Sequence, residues 1–514
     1  MRILARLSRR SITVTALGAL FLGTLLGTLL GAPPATSAAA SPTVAANPTV
    51  TVPPAGSHGF PFLAAAEDLG SFGYTENEYF ISGTATSYAK SGLWTSDGRW
   101  NVRASGTAAY KSRLLVRRPS DPAKFNGTVV VEWLNVSGQI DLSPDYWFQR
   151  DELLRKGYAW VGVSAQAVGV NGGRGEIKGL KGWDPARYGS LVHPGDAFAY
   201  DIFSQAGQAL RTPNGPDPLG GLQARTLLAD GESQSAGFMT TYVNAVQPVA
   251  KVYDGFMVHS NSAVAAPISG ALADTLLMPN PSRIRTDQSV PTFVVLTETD
   301  VPGAATARQP DTNSVVHWEL AGTAHGDQWA YDLGDPTVQK SAGDAAPSAD
   351  CAAGSAPFND GPGHWAMNRA LRHLATWARG GARPPSGQLL STVLRDPATG
   401  LATGGVRLPD VTVPTRTLTG ARDTTGSGVF CGLYGARDPW NADADGWDRH
   451  DDGDPSDPSF PTTPEPVLSR LYPTHADYVG KVRTAAQASV DAGYLLPEDA
   501  TAIVTAAQNS DIGG

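Results

Sequence analysis

The sequence predicts an α/β protein with a mostly parallel central sheet flanked by helices. Strand-like apolar runs alternate with helix-like segments along most of the chain, which is the pattern of a parallel sheet covered on both faces. Near-continuous apolar runs such as 128-TVVVEW and 292-TFVVL favour strands that are buried on both sides. The composition is that of a folded chain, since 41% of the 514 residues are hydrophobic and 17% are charged.

The expected strands share short, Val- or Leu-rich runs bounded by turn residues. They are Arg113–Val116, Thr128–Trp133, Ala159–Val163, Thr226–Ala229, Asp254–His259, Thr292–Leu296 and Val315–Leu320. The expected helices show apolar residues at helical spacing or capping signals. They are Pro144–Lys156, Ser235–Val246, His364–Arg379, a helix capped by Thr474 over residues 475–492, and a last helix that Pro497 opens.

The N-terminus has the three parts of an export signal over residues 1–40. Four arginines between Arg2 and Arg10 precede an apolar run from Ile12 to Leu30, and a small-residue stretch follows it. Cleavage near residues 38–40 would leave no stable transmembrane anchor, so we expect a secreted or extracytoplasmic protein. The pair Arg9-Arg10 also fits a twin-arginine signal. Residues 41–56 are interpreted as a Pro/Ala/Thr-rich linker, and residues 57–514 as one domain with a C-terminal helical extension.

The charge and the cysteines limit the classes of function. A net charge of −9 argues against nucleic-acid partners, which require concentrated Lys and Arg. The two cysteines, Cys351 and Cys431, lie in the exported part, so we expect one disulfide. On the chain-entropy argument its loop of about 80 residues corresponds to roughly 4 kcal/mol of stability.

The segment 226-TLLADGESQSAGFMTTYV indicates a serine nucleophile. A buried strand runs into Gly231-Glu232-Ser233-Gln234-Ser235 and then into a helix, which is the strand, sharp turn and helix arrangement of a nucleophile elbow. The usual glycine two residues after the serine is replaced by Ser235. Ser235 is therefore a rival nucleophile, but it lacks the preceding glycine and would lie inside the first helical turn. We expect Ser233 to be the nucleophile.

An acid and a histidine follow the elbow in the order that such a serine needs. The strand 292-TFVVL leads into 297-TETD, and 315-VVHWEL leads into 321-AGTAHGD, so both loops lie at the same edge of the sheet. We expect His325 to be the base and Asp300 to orient it, with Glu298 as the alternative acid. His259 is the competing histidine, but no carboxylate-bearing strand separates it from Ser233.

A serine hydrolase also needs backbone N–H donors for the oxyanion of its tetrahedral intermediate. One is expected from the residue after the nucleophile, Gln234. The other is expected from the loop after 128-TVVVEW, which reads 134-LNVSGQIDLSPDY, with Leu134 or Asn135 as the donor.

The runs 128-TVVVEWLNVSG, 187-RYGSL, 231-GESQSA, 297-TETDV and 320-LAGTAHGD, with 478-YVGKV and 493-GYLLPEDA, resemble a bacterial "alpha/beta hydrolase domain" family of serine hydrolases. The resemblance extends from about Ser57 to the C-terminus and includes the GESQS form of the elbow. It implies the α/β-hydrolase fold and a Ser-acid-His mechanism. The Gly-rich or irregular sequence of residues 166–189 and of the segment between His325 and Cys351 separately predicts lid or rim insertions.

The predicted function is hydrolysis of a carboxylic ester on a small-molecule or lipid-like substrate, with no cofactor required. Two alternatives stay open: an acyltransferase acting on an envelope sugar or lipid, and a catalytically silent envelope protein of the same fold. The loop 441-NADADGWDRHDDGD adds a candidate calcium site, because Asn441, Asp443, Asp445 and Asp452 approach the ligand spacing of an EF-hand loop. The alternative is a solvated acidic loop.

Overall fold

The computed structural model describes residues 45–173, 178–343, 349–440 and 468–514. The predicted export signal and the four calcium-ligand candidates lie outside these residues. The strands in the described ranges are β1 (Thr49–Thr51), β2 (Tyr74–Ser91), β3 (Asn101–Pro119), β4 (Thr128–Trp133), β5 (Ala159–Val163), β6 (Thr226–Glu232), β7 (Gly255–His259), β8 (Thr292–Thr297), β9 (Val315–Leu320), β10 (Leu390–Arg395), β11 (Ala402–Gly404), β12 (Arg416–Thr419) and β13 (Ala436–Pro439).

The helices in the same ranges are α1 (Pro144–Arg155), α2 (Ala167–Asn171), α3 (Gly179–Trp183), α4 (Pro185–Tyr188), α5 (Ala199–Arg211), α6 (Gln234–Thr241), α7 (Gln247–Ala250), α8 (Val301–Ala304), α9 (Gln328–Ala342), α10 (Gly363–Ala378), α11 (Pro409–Thr412), α12 (Leu468–Leu471), α13 (His475–Asp491) and α14 (Pro497–Gln508). A π-helical turn, Tyr242–Val246, joins α6 to α7. The helices predicted at Pro144–Lys156, His364–Arg379 and residues 475–492 all form, and so does the last helix, which begins at Pro497.

The first nine strands form one sheet in the order β1-β2-β3-β5-β4-β6-β7-β8-β9. The six strands β4 to β9 are parallel to one another, while β1, β2 and β3 form an antiparallel edge that joins the parallel strands at β5. Every residue of β4, β6, β7 and β8 is buried, as expected for strands covered on both faces. The predicted mostly parallel sheet is therefore confirmed.

Helices cover both faces of this sheet. Along β4 the side chains alternate, so that Val129 and Val131 pack in the same core cluster as α5 and α6, and Val130 packs in the opposite cluster with α1 and α10. Because the six parallel strands all end at one edge, the loops that follow β4, β6, β8 and β9 meet there.

The antiparallel edge is larger than the sequence predicts. The prediction Arg113–Val116 covers only part of β3, which pairs along its length with β2, a strand that was not predicted. The predicted linker 41–56 is also wrong in part, because Thr49–Thr51 pairs with β2 and Val50 is 1% exposed. The partners of these strands lie tens of residues away, so a local apolar pattern does not reveal them.

The segment between His325 and Cys351, expected to be irregular, contains the helix α9. Asp327 caps it by accepting a hydrogen bond from the Ala330 N–H at 2.8 Å. Gly334 and Pro336 inside this helix hide its periodicity in the sequence. The predicted disulfide between Cys351 and Cys431 is present, with the two Cα atoms 5.0 Å apart. In the described part of the chain, none of the helices has the length and apolarity of a membrane span.

Candidate active site

Ser233 lies in a sharp turn between β6 and α6. Its backbone has φ 59° and ψ −118°, a conformation that L-residues other than glycine rarely adopt. The turn brings Gly231 so close to the following helix that a Cβ there would lie 3.0 Å from the Ser235 carbonyl oxygen. Glycine at 231 thus avoids a tight contact with the helix backbone, whereas Ser235 fits where the usual motif has glycine. The turn presents the Ser233 hydroxyl, which is only partly buried, at the carboxyl edge of the sheet.

His325 connects Ser233 to Asp300. Its Nε2 lies 2.8 Å from Ser233 Oγ, and its Nδ1 lies 2.6 Å from Asp300 Oδ1. The second Asp300 oxygen accepts hydrogen bonds from the backbone N–H and the hydroxyl of Thr297, at 2.9 and 2.6 Å. The structure therefore brings together the three side chains that the sequence placed in the order Ser, acid, His.

The charges of this trio stabilise one another. Burial raises the pKa of Asp300, but the His325 charge and the hydrogen bonds from His325 and Thr297 outweigh it, so the pKa of Asp300 lies below its ordinary value. Burial lowers the pKa of His325, but the carboxylates of Glu232 and Asp300 outweigh it, so the pKa of His325 lies well above its ordinary value. The site is built to hold a positive imidazolium.

Glu298, the alternative acid, has a different position. Its two oxygens accept the backbone N–H groups of Gly322 and Gly420, at 3.0 and 3.1 Å, and it forms an ion pair with Arg395. It thereby ties the loop after β9 to the segment that follows β12. No hydrogen bond joins it to His325 in the described residues, so the geometry favours Asp300.

The rival nucleophile and the rival histidine are both enclosed in the core. Ser235 is fully buried, and its hydroxyl lies 3.4 Å from the Gln234 side-chain oxygen. His259 is also fully buried, with Nδ1 2.8 Å from Asp145 Oδ1, and burial lowers the pKa of His259 to about 4. Its carbonyl oxygen accepts the Ser233 N–H at 2.9 Å, so His259 supports the turn through its backbone.

The structure corrects the predicted oxyanion donors in the loop after β4. The Leu134 N–H donates to the Val163 carbonyl at 3.3 Å, and the Asn135 N–H donates to the Leu142 carbonyl at 2.9 Å. The Leu134 amide continues the β4–β5 ladder, and the Asn135 amide is engaged because the loop folds back on itself, which the sequence does not show. Gln234 differs, since it opens α6, where the first N–H groups have no partner within the helix.

Glu232 is the residue of the site that the sequence interpretation missed. Its Oε1 lies 2.9 Å from His325 Nε2, and it is 4% exposed. The Asn135 side chain donates to Glu232 twice, to Oε2 at 3.1 Å and to the backbone carbonyl at 3.0 Å. The only local signal was its position directly before the serine, where the elbow motif allows any residue.

An aromatic group lies beside the His325 loop. Phe358 and Tyr434 stack with ring centroids 4.5 Å apart, and Tyr331 meets Tyr434 edge-on at 5.9 Å. The Gly326 N–H donates to the Leu433 carbonyl at 2.9 Å, which fixes this group against the loop. The short helical turn Cys431–Tyr434 begins at the disulfide, so the crosslink holds the group in place.

In the described ranges there is no group of three or more His, Cys, Asp or Glu side chains that could hold a metal ion. The acidic loop proposed for calcium lies outside those ranges.

The sheet, with a serine at the strand-to-helix turn and loops converging at its carboxyl edge, is that of an α/β hydrolase. The chain belongs to the alpha/beta hydrolase domain family, whose model matches residues 47–505. No curated protein matches the sequence.

Several solved esterases are similar to this chain at low identity. The esterase Est22 is 13% identical, with 50% of this chain and 78% of that chain covered and a TM-score of 0.29. A mutant of the esterase rPPE is 15% identical, with 54% and 80% covered and a TM-score of 0.28. A thermostable esterase from Pseudomonas putida ECU1011 is 14% identical, with 47% and 68% covered and a TM-score of 0.24.

Proposed function

We propose that this hydrolase is a serine esterase that cleaves carboxylic esters through an acyl-enzyme on Ser233. The observation that carries the proposal is the chain of hydrogen bonds from Asp300 through His325 to Ser233 Oγ, at the turn that opens α6. Nucleophile, base and orienting acid are each within hydrogen-bond distance of the next, which is the arrangement that activates a serine hydroxyl.

In the first step His325 Nε2 takes the proton from Ser233 Oγ while Oγ bonds to the ester carbonyl carbon. The imidazolium then gives this proton to the leaving alcohol oxygen, and the acyl group remains on Ser233. A water molecule repeats the sequence with His325 as base and releases the carboxylic acid. Asp300 keeps the His325 ring in the orientation that both steps require.

The oxyanion of each tetrahedral intermediate needs backbone N–H donors. The Gln234 N–H is one, because it points out of the first turn of α6 and that helix end carries partial positive charge. For the second donor we propose Val136 or Gly138, which lie in the same loop as the engaged Leu134 and Asn135 amides. Among the described hydrogen bonds, none uses the N–H of Val136 or Gly138.

The half-buried rings of Tyr331, Phe358 and Tyr434 supply an apolar wall near the histidine loop. Such a wall favours an ester with an apolar acyl or alcohol group, since burying apolar area yields about 25 cal/mol per Å². We also propose that the protein acts outside the cytoplasm. The export-signal pattern and the disulfide, which persists in oxidising compartments, support this location.

The test is reaction of the mature protein with a fluorophosphonate, followed by mass-spectrometric mapping of the modified residue. We expect labelling at Ser233, none in Ser233→Ala, and a fall in kcat of about 10⁴-fold or more in that variant. A screen of p-nitrophenyl esters of increasing chain length, with and without an added alcohol, then separates hydrolysis from acyl transfer. Labelling at Ser235, or a Ser233→Ala protein that keeps its activity, would contradict the proposal.

A further inference from the structure

Glu232, the residue directly before the proposed nucleophile, contacts the proposed base. Two acceptor atoms compete for one position on the histidine, since His325 Nε2 lies 2.8 Å from Ser233 Oγ and 2.9 Å from Glu232 Oε1. An ionised carboxylate only accepts hydrogen bonds, and a neutral imidazole with its proton on Nδ1 has only a lone pair on Nε2. A separation of 2.9 Å between Glu232 Oε1 and Nε2 therefore requires a shared proton.

We propose that Glu232 is a second carboxylate partner of His325, which holds the Nε2 proton and thereby sets the pH at which Ser233 becomes reactive. The inference rests on the proposed function, because it assigns a role in the proton transfer of the same site. It concerns a residue that the Ser-His-Asp mechanism does not require.

The position of Glu232 is held by its other contacts. Asn135 donates to Oε2 at 3.1 Å and to the Glu232 carbonyl at 3.0 Å, so one carboxylate oxygen faces Asn135 and the other faces His325. Asn135 is 4% exposed and Glu232 is 4% exposed, so little water competes with these bonds. Asn135, whose backbone N–H the sequence analysis proposed as an oxyanion donor, thus orients a carboxylate through its side chain.

The groups around His325 leave Glu232 and Asp300 as its charged neighbours. His259, on β7, is neutral near pH 7, because burial lowers its pKa to about 4. Tyr434 stays neutral too, because burial, and among smaller effects the Glu232 charge, raise the pKa of Tyr434 above its ordinary value. Within the described residues, no lysine or arginine forms an ion pair with Glu232, so its charge acts on the imidazole unopposed.

The proton balance follows from this arrangement. At low pH Nε2 carries a proton that is shared with Glu232, and His325 cannot accept the Ser233 proton. As the pH rises, this proton is lost to solvent and Nε2 becomes the acceptor for Ser233 Oγ–H. During attack the Oγ–H bond breaks and an Nε2–H bond forms, and Glu232 stabilises the imidazolium until the leaving alkoxide takes the proton.

The test measures the rate of Ser233 phosphonylation by a small uncharged fluorophosphonate against pH, with mapping of the label. This rate depends on neutral His325 and not on an ester leaving group. For Glu232→Gln we expect the acid limb to move to lower pH by about 1–3 units, with a lower plateau rate, because an opposite charge at this distance shifts a pKa by that amount. Asn135→Ala, which releases the Glu232 carboxylate, should move the limb in the same direction by less.

Glu298→Gln is the matched control. It removes a similarly buried carboxylate at the same edge of the sheet, but this carboxylate accepts a hydrogen bond from Gly322 and, in the part of the chain that the structure describes, forms none with His325. Its acid limb should coincide with that of the wild type. If Glu232→Gln shows the wild-type limb, the role of Glu232 is overturned while the esterase proposal stands. If Ser233 is not labelled at any pH, the esterase proposal falls and the inference falls with it.

If Glu232→Gln does not fold, Asn135→Ala and a measurement on the wild type can still refute the proposal. NMR of the His325 ring against pH should show Nε2 protonated wherever Ser233 labelling is slow, with the two midpoints coinciding. An Nε2 that is already unprotonated throughout the slow range would overturn the proposal.

Discussion

Replacing Ser233 by glycine should stabilise the fold relative to replacement by alanine, although both changes remove the proposed nucleophile. The backbone of Ser233, at φ 59° and ψ −118°, costs a residue with a Cβ about 1–3 kcal/mol and costs glycine almost nothing. Glycine loses about 0.4–1 kcal/mol through the greater entropy of the unfolded chain. The difference leaves Ser233→Gly more stable than Ser233→Ala by about 1 kcal/mol.

Urea unfolding of the two variants measures this difference. At an m-value of about 3 kcal/mol per M, the midpoint of Ser233→Gly should exceed that of Ser233→Ala by about 0.3 M with equal slopes. Ser235, in the first turn of α6, supplies the control, because there glycine should be less stable than alanine by about 0.5–1 kcal/mol. If alanine were the more stable residue at 233 as well, the strain assigned to the nucleophile turn would be refuted.

Three further predictions concern the acid, the crosslink and a buried carboxyl. Asp300→Asn should lower kcat about 10⁴-fold in an ester assay, while Glu298→Gln should chiefly lower the urea midpoint; the reverse pattern would make Glu298 the orienting acid. Replacing Cys351 and Cys431 together by serine should cost about 4 kcal/mol of unfolding free energy, given their separation of 80 residues, and a loss below 1 kcal/mol would contradict the chain-entropy argument. Burial raises the pKa of Asp327 to about 7. The unfolded chain therefore loses this proton at lower pH than the folded protein, and the stability of the fold falls as the pH rises from about 4 to 7. Thermal unfolding should show that Asp327→Asn stabilises the protein more at pH 8 than at pH 4. Equal effects at both pH values would be inconsistent with that shift.

The arrangement of charge around His325 connects these experiments. Asp300 and Glu232 contact opposite nitrogens of one ring, at 2.6 and 2.9 Å. Asp300 holds the ring in place through Nδ1, whereas Glu232 contacts Nε2, the nitrogen that exchanges a proton with Ser233 in the proposed mechanism. Loss of Asp300 should therefore lower the rate at every pH, and loss of Glu232 should chiefly change the pH at which the rate rises.

Much of this architecture was predictable from local pattern. The strands β4, β5 and β9 have the predicted bounds, because unbroken apolar runs between turn residues leave little choice of secondary structure. The helix α13 begins after its predicted cap, Thr474, whose hydroxyl accepts the Asp477 N–H at 3.1 Å. The elbow around Ser233 and the chain order of the acid and His325 could also be recognised, because a parallel sheet brings successive strand ends to one edge.

Tertiary structure decided what depends on distance between remote residues. Glu298 and Asp300 are two residues apart in the sequence, and only the folded loops show that Asp300 faces His325 while Glu298 faces Gly322 and Arg395. Asn135 became a partner of Glu232 because its loop folds back and engages its own amide. The sequence pattern indicates which residues lie at the carboxyl edge of the sheet. The direction of each side chain there is set by packing and hydrogen bonds from segments far along the chain.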